Sequence, residues 1–420
     1  MKKLVSQLEQ YFDQKSVAKR WPWLFGGVML TGLLIICPLI LLMLALGSFT
    51  LNGLLVWQFA NLTAPPIAAS PKPPLIVVVP PGMSAASTAI PTATGLIPPP
   101  TSTPGLPTPT PHLLDDYTID KLRSRVYPGG QLEVRSILTA TNNFTSYYID
   151  YPSDGLTITG IMQIPPGEGP FPVIILNHGY IDRAAYWPGA DTWRAASYLN
   201  QHGYLTIAPD FRSWGESDTD NSFFSTGQLI DTLNLISSLE SVPEADINRV
   251  GMWGHSMGGG ITMKAITIDY RIRAAVLYAP VSADDAQVIA QWGPGCHPEQ
   301  PNLLSNECAG AEVLVANMDD TLFWAYADAI GNAHLLARTS PINYADYVIA
   351  PVQIHIGTAD TRTPPTWAAD INDRLRARGK TVEYFSYPNQ GHALQGQSWD
   401  LFMQRTVDFF DRNLTSDPSQ

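Results

Sequence analysis

Six short apolar runs without a polar face constrain the fold of this chain more than any other feature of its sequence. Runs of this length and composition are typical of strands that are buried on both faces of a sheet. Helical patterns lie between the runs, at about 191–202, 226–241, 257–269, 366–378 and 398–412. This alternation predicts an α/β fold with a doubly wound, mostly parallel sheet, whose site lies at the carboxyl ends of the strands. The runs are Val173–Leu176, Leu205–Ala208, Val250–Trp253, Ala274–Tyr278, Val352–Ile356 and Val382–Phe385.

The segments around this core predict an antiparallel start and an inserted cap. Residues 131–140, 144–151 and 156–164 read as short strands between turn signals, after a weak helical pattern at 115–126. The stretch 281–351 is too long for one connection and contains a helix-like pattern at 319–337. We therefore expect a cap or lid beside the site.

The N-terminal third predicts a membrane anchor followed by a spacer. Residues 21–46 carry no charge, and a run of this length matches the hydrocarbon core of a bilayer, so we expect one transmembrane helix. A cleaved signal peptide is the alternative, although its apolar region would be shorter. Residues 47–112 form a linker rich in Pro and Thr, which favours an extended semi-rigid stalk. The folded domain is then predicted at 113–420.

Charge predicts the orientation of this anchor. Five basic residues lie in segment 1–20, and only Lys72 follows the apolar run for the next seventy residues, which predicts a cytoplasmic N-terminal tail. The domain after the anchor is then extracellular or periplasmic, where a disulfide between Cys296 and Cys308 could persist.

Composition excludes several classes of partner. Lys plus Arg number 25 against 37 Asp plus Glu, and this balance argues against nucleic acid. The three cysteines do not provide a usual zinc-ligand spacing, so no metal site is expected. No cofactor is expected either, because Asn177-His178-Gly179 follows the first parallel strand where a dinucleotide-binding protein would carry a glycine-rich turn.

The strongest chemical signal is the sequence Gly254-His255-Ser256-Met257-Gly258 between a buried strand and a helix. In a G-x-S-x-G turn the glycines let the chain bend sharply enough to expose the serine hydroxyl. Serine needs a base to remove its proton and an acid to orient that base. Ser256 is therefore the predicted nucleophile.

The chain order Ser, acid, His selects its partners. His392 lies in a loop after the last predicted strand, whereas His355 lies inside an apolar strand and is expected to be structural. Asp360 directly follows the run that ends at Ile356 and is the predicted acid. Asp284 and Asp285, after the preceding strand, stay open as the alternative.

A tetrahedral intermediate also needs backbone N–H donors for its oxyanion. The residue after the nucleophile, Met257, provides the first. The loop after the first parallel strand should provide the second, and we predict the N–H of Tyr180. His178 precedes the nucleophile and is expected to brace this loop.

Taken together, these residues resemble the α/β-hydrolase superfamily, and within it the catalytic domain of the prolyl oligopeptidase family of serine peptidases. The resemblance covers about 147–412. Its motifs are Ser153-Asp154-Gly155, Pro172–Ile175 before His178-Gly179, Trp253–Gly259, His355–Asp360 with Pro364-Pro365, and Tyr387-Pro388 before Gly391-His392. Carried over by position, the family's triad falls on Ser256, Asp360 and His392. Asp210–Ser217 also resembles a loop that is widespread in α/β-hydrolases and supports the fold.

The chain departs from the peptidases in ways that concern the substrate. It has His178-Gly179-Tyr180 at the oxyanion loop, and a stalk stands where a β-propeller would precede the domain. The same domain without a propeller is similar to dienelactone hydrolases and acyl esterases. The sequence therefore predicts a membrane-anchored extracytoplasmic serine hydrolase that cleaves small peptides. A carboxylic ester hydrolase is the alternative, followed by a non-catalytic binding module displayed on a stalk.

Overall fold

One central sheet organises the domain. The computed structural model describes residues 112–294 and 320–415, and within these residues nine strands form a single sheet. The strands are β1 (Glu133–Ala140), β2 (Thr145–Ser153), β3 (Leu156–Ile164), β4 (Phe171–Asn177), β5 (Leu205–Pro209), β6 (Ala245–His255), β7 (Ile272–Tyr278), β8 (Val352–Gly357) and β9 (Val382–Tyr387).

The sheet is mostly parallel, as the apolar runs predicted. Its strand order is β1-β2-β3-β5-β4-β6-β7-β8-β9. The first three strands pair antiparallel with one another, and β3 pairs antiparallel with β5. From β5 through β4 to β9 every neighbouring pair is parallel. The carboxyl ends of these parallel strands consequently meet along one edge of the sheet.

Helices connect the parallel strands and share one core with them. They are α1 (Ile119–Ser124), α2 (Trp193–Gln201), α3 (Thr226–Ser238), α4 (Met257–Ile268), α5 (Asp285–Trp292), α6 (Asp320–Ala329), α7 (Ala333–Thr339), α8 (Pro365–Ala377) and α9 (Gln397–Phe410). Short 3₁₀ helices occupy Asp115–Tyr117, Phe223–Ser225, Leu239–Ser241 and Pro341–Tyr347, and one π-helical turn occupies Asp411–Thr415. Leu199 of α2, Leu233 of α3, Ile261 of α4, Ile371 of α8 and Phe402 of α9 join the strands in the main hydrophobic core.

The segment between β7 and β8 differs in detail from the sequence prediction. The single helical pattern at 319–337 is two helices, α6 and α7, because Asn332 begins a new helix by accepting the N–H of Leu335 at 3.1 Å. Helix α5 was not predicted from the sequence. It begins at Asp285, where the side chain of Asp284 accepts the N–H of Ala286 at 2.9 Å.

The loop after β5 is held by a buried ion pair. Nη2 of Arg212 lies 2.8 Å from Oδ1 of Asp231 on α3, and the backbone N–H of Arg212 donates to Oδ2 of the same carboxylate at 2.8 Å. Both side chains are buried. The resemblance assigned this loop a role in supporting the fold, and the contacts tie it to α3.

Several predictions concern residues outside the described part. The N-terminal tail 1–20, the transmembrane segment 21–46, almost all of the linker 47–112, and Cys296 with Cys308 lie there. Within residues 112–294 and 320–415, no helix is both long and apolar enough to cross a bilayer.

Candidate active site

Ser256 lies at a strained turn between β6 and α4. Its backbone has φ 56° and ψ −117°, in the left-handed half of the Ramachandran map that residues other than glycine rarely adopt. The turn is fixed by hydrogen bonds from the N–H of Ser256 to Tyr278 O at 2.9 Å and from the N–H of Val281 to Ser256 O at 3.1 Å. The end of β7 thus holds the serine at the carboxyl edge of the sheet.

The two glycines of the G-x-S-x-G sequence are required by close backbone contacts. A Cβ on Gly254 would lie 2.1 Å from Gly258 O, and a Cβ on Gly258 would lie 2.0 Å from Asn177 O. Neither distance is compatible with a side chain of any size. The first turn of α4 therefore packs directly on the end of β4, which brings Ser256 beside the loop that follows Asn177.

The structure brings His392 and Asp360 together. Nδ1 of His392 lies 2.9 Å from Oδ2 of Asp360, although the two residues are on different loops, after β9 and β8. Oδ1 of Asp360 accepts the backbone N–H groups of Arg362 and Thr363 at 2.8 and 3.0 Å. Burial raises the pKa of Asp360, but the hydrogen bonds from His392 and Thr363 outweigh burial, and the pKa lies below its ordinary value. The carboxyl is thus an acceptor for the imidazole.

The loop that carries His392 is fixed at both ends. The N–H of Leu394 donates to the hydroxyl of Tyr278 at 2.5 Å, and the N–H of Ala359 donates to Gln390 O at 2.8 Å. Because Nδ1 of His392 faces Asp360, Nε2 is the ring nitrogen that remains to accept a proton.

The alternative acids and the second histidine lie elsewhere. Asp284 caps α5, and Asp285 pairs with Lys264, whose Nζ lies 3.2 Å away. His355 is fully buried, with Nδ1 2.8 Å from the hydroxyl of Tyr387 and Nε2 2.7 Å from Oε1 of Gln353. Burial lowers the pKa of His355 well below its ordinary value. Its surroundings agree with the structural role expected from the sequence.

The two amides predicted to bind an oxyanion belong to different elements, Met257 to α4 and Tyr180 to the loop after β4. Met257 is the first residue of α4, where a backbone N–H has no acceptor within the helix. Nδ1–H of His178 donates to Gly179 O at 2.7 Å. Because C=O and N–H point in opposite directions in a trans peptide, the N–H of Tyr180 points away from His178. Trp214 supports the same loop by donating Nε1–H to Ile181 O at 2.8 Å.

An open cavity of about 610 Å³ connects these groups. Ser256, Met257, His392 and Tyr180 all line it, and Asp360 lies behind His392. The cap segment contributes Trp292 to the wall of the cavity. The arrangement combines a serine, an imidazole held by a carboxylate, and two candidate amide donors, which is the set of groups that acyl transfer requires.

Three further residues of this cavity were not singled out from the sequence. Arg362 lines it from the loop that also holds Asp360, and Asp191 and His255 line it as a hydrogen-bonded pair. His255 was visible only as the variable residue of the G-x-S-x-G motif, and Asp191 belongs to no motif, so spacing gave no signal for either. In the part of the chain that the structure describes, no three His, Cys, Asp or Glu side chains are grouped to hold a metal ion.

Comparisons with known proteins agree with this fold. The family model described as "Alpha/beta hydrolase family" matches residues 173–405. An uncharacterized 31.7 kDa protein from the traX-finO intergenic region of Escherichia coli is 30% identical over 141 residues, which are 33% of this chain and 47% of that protein. The chain thus spans about half the length of this relative.

Among solved structures, a puromycin-hydrolyzing peptidase of Mycobacterium tuberculosis is similar with a TM-score of 0.50 at 18% identity, covering 68% of this chain and 42% of the peptidase. At this identity the likeness shows the fold. Acetyl xylan esterase 1 from a Thermoanaerobacterium species has a TM-score of 0.49 at 19% identity, covering 70% of this chain and 94% of the esterase.

Proposed function

This chain belongs to the α/β-hydrolase family, and we propose that it is a serine hydrolase that forms an acyl-enzyme on Ser256. The observation that carries the proposal is one cavity lined by Ser256 and His392, with Nδ1 of His392 2.9 Å from the Asp360 carboxylate. The strained backbone of Ser256 adds support, because such strain clusters at functional turns.

The proposed reaction begins when Oγ of Ser256 attacks the carbonyl carbon of the substrate and Nε2 of His392 takes the hydroxyl proton. The carboxylate of Asp360 orients the ring and stabilises the imidazolium. The N–H groups of Met257 and Tyr180 bind the negative oxygen of the tetrahedral intermediate.

Collapse of this intermediate breaks the bond to the leaving group, which takes its proton from His392 and departs. Water then attacks the acyl-enzyme while His392 accepts one of its protons. The second intermediate collapses, the acid product is released, and Ser256 regains its proton.

For the substrate we propose a short peptide. The motifs Ser153-Asp154-Gly155, Trp253–Gly259 and His355–Asp360 support this choice through their resemblance to the prolyl oligopeptidase catalytic domain. A small carboxylic ester is the second candidate, since a cavity of about 610 Å³ accepts a small acyl group and the sequence is similar also to dienelactone hydrolases.

Labelling of the purified full chain with a fluorophosphonate tests the activated serine. We expect the wild type and a Ser124→Ala control, which removes an exposed hydroxyl on α1, to be labelled, and Ser256→Ala not to be labelled. If the folded wild type is not labelled, the hydrolase proposal fails and a binding domain displayed on a stalk becomes the better account. Turnover of peptide anilides against p-nitrophenyl esters then decides between the two substrate classes.

We also propose that residues 21–46 anchor this enzyme in a membrane with residues 113–420 outside the cytoplasm. The uncharged run and the basic residues before it support this orientation. In cells, the chain should remain in carbonate-washed membranes and be digested by protease added from outside. Leu34→Arg, which places a charge in the middle of the run, should release it or block insertion. A wild-type chain recovered without membranes would contradict the anchor.

A further inference from the structure

A second Asp–His pair lies beside the proposed catalytic one. Nδ1 of His255 lies 2.9 Å from Oδ1 and 2.8 Å from Oδ2 of Asp191, and both residues line the cavity with Ser256. His255 is 7% exposed. The acyl-transfer steps given above use neither side chain, so this polar pair has no role in them.

Each member of the pair also binds one of the two loops that flank Ser256. Oδ2 of Asp191 accepts the backbone N–H of Gly179 at 2.7 Å. Nε2 of His255 lies 3.2 Å from the carbonyl oxygen of His392, and the rings of His255 and His392 are 4.7 Å apart between centroids. A carbonyl oxygen only accepts hydrogen bonds, so Nε2 of His255 donates there while its Nδ1 donates to Asp191.

The protonation that this geometry requires is favoured by the surroundings. Burial lowers the pKa of His255, but the carboxylate of Asp191 outweighs burial and the pKa lies above its ordinary value. Burial likewise raises the pKa of Asp191, yet His255 and the N–H of Gly179 reduce it to about 2. With His255 as imidazolium and Asp191 as carboxylate, the two Nδ1 contacts, the contact to Gly179 N–H and the contact to the His392 carbonyl oxygen each join a donor to an acceptor.

The pair reaches the oxyanion loop through Gly179. The N–H of this residue is held by Asp191, and its carbonyl oxygen is held by Nδ1–H of His178 at 2.7 Å. A Cβ at Gly179 would lie 3.1 Å from Oδ2 of Asp191 and 3.2 Å from Cβ of Ser256. The backbone of Gly179 is therefore pressed between the pair and the nucleophile, and fixing both of its peptide groups fixes the direction of the Tyr180 N–H.

The backbone of Asp191 is itself in an unfavourable conformation. Its φ is 69°, in the left-handed region where residues other than glycine are uncommon. Such a conformation persists only when the surroundings determine it, and here the carboxylate binds both Gly179 and His255.

We propose that Asp191 and His255 are a positioning pair. The pair fixes the direction of the Tyr180 N–H and the position of the His392 loop relative to Ser256. This inference rests on the proposed serine hydrolase function. The pair does not touch the reacting atoms. It joins the end of β6, the loop after β4 and the loop after β9, so that the oxyanion donor on one loop and the base on the other keep their positions relative to Ser256.

The test compares Asp191→Asn and His255→Asn in the full chain, using hydrolysis of a p-nitrophenyl ester and the rate of fluorophosphonate labelling. Each variant should reduce kcat by about 10- to 100-fold, since displacement of oxyanion donors or of the base acts on the transition state. The KM should change by less than about threefold, because the open cavity wall stays in place. The double variant should lose about as much as either single variant, since the two residues act as a unit.

His355→Asn is the matched control. His355 is also buried, on β8, two strands away from β6, and it also makes two side-chain hydrogen bonds, so its replacement reduces stability without removing a contact to Gly179 or to the carbonyl oxygen of His392. We expect it to lower the melting temperature while kcat of the folded protein stays within about twofold of wild type.

Two results would overturn the positioning role. The first is a kcat within about threefold of wild type in both Asp191→Asn and His255→Asn, measured well below their melting temperatures. If these variants do not fold, Asp191→Glu is used, because it keeps the charge but moves the carboxylate by one methylene. The second overturning result is a kcat of Asp191→Glu equal to that of the wild type. A wild-type chain that is neither labelled nor active removes the hydrolase proposal itself, and the positioning role with it.

Discussion

The hydroxyl of Thr363 lies 2.8 Å from Oδ2 of Asp360, the same carboxylate oxygen that faces Nδ1 of His392 at 2.9 Å. A residue of its own loop thus holds the carboxylate of Asp360 in place, independently of His392. Its direction is set by the chain between β8 and α8 and does not depend on a bound substrate.

Replacement of this acid by its amide should remove most of the activity while leaving the fold intact. Asp360→Asn presents an N–H or a carbonyl group to Nδ1 of His392 and favours the wrong tautomer of the ring. We expect kcat to fall by about 10⁴-fold with little change in KM. Steady-state kinetics on the ester substrate measures this, with Asp346→Asn, at an exposed ion pair with Arg378, as control. A loss below about tenfold would exclude Asp360 as the acid.

The Asp191–His255 pair should make stability depend on pH in a defined window. The folded pKa of His255 lies above its ordinary 6.5, so its contribution is complete below pH 6.5 and is lost as pH rises through the folded value. The folded pKa of Asp191 is about 2 against an ordinary 3.8, so its contribution is complete above pH 3.8 and is lost as pH falls toward 2. The pair therefore stabilises the fold most between these limits.

Chemical unfolding of the wild type and of Asp191→Asn measures this window. Their difference in free energy of unfolding should be larger at pH 5.5 than at pH 2, by about 2 kcal/mol. The corresponding difference for His255→Asn should decrease from pH 5.5 to pH 9. A difference that is constant over the whole range would mean that the pair is not charged in the folded protein.

The free energy of unfolding should fall more when one partner of the buried Lys264–Asp285 pair is replaced than when both are replaced. Nζ of Lys264 donates to Phe224 O at 2.7 Å and lies 3.2 Å from the Asp285 carboxylate, and both side chains are buried. Lys264→Met leaves a carboxylate without its cation and should reduce the free energy of unfolding by about 3–5 kcal/mol. Lys264→Met/Asp285→Leu should lose less. Urea unfolding at pH 7 compares them, and equal losses would show that charge burial is not the cause.

The contact of Gly258 with Asn177 predicts a large loss from a single methyl group. In Gly258→Ala the new Cβ would lie 2.0 Å from Asn177 O, so the first turn of α4 must move away from β4. We expect the melting temperature to fall by more than about 10 °C, or the soluble yield to be lost. Gly331→Ala is the control, since the nearest atom to its added Cβ lies at 3.6 Å and its φ is not positive. Similar melting temperatures for the two variants would contradict the packing argument.

The parts of the fold that follow from local pattern were predictable from the sequence. The apolar runs from Val173 to Phe385 became parallel strands, because strands that are covered on both faces are built mainly from apolar residues. The resemblance to the α/β-hydrolase superfamily is confirmed as well. Helix boundaries followed within a few residues, as at α3, which ends at Ser238 where the pattern extended to 241.

Features that depend on contacts between distant segments were not predictable. Asp191 lies 64 positions from His255, in a loop with no motif, and only the folded chain brings the two together. Helix α5 was missed because its start depends on the side chain of Asp284, which the sequence analysis considered only as an alternative catalytic acid. The catalytic roles of Ser256, Asp360 and His392 stay predictions that the labelling experiment tests.

Because the loops after β6, β8 and β9 each contribute one member of the candidate triad, the site has a fixed order of completion during synthesis. A nascent chain that ends after α8 already contains Ser256 and Asp360, but it contains no base for the serine. Strand β9 and the His392 loop must leave the ribosome before the three groups can meet. A chain that stops before the His392 loop is therefore expected to lack the proposed activity, even if its earlier strands have folded.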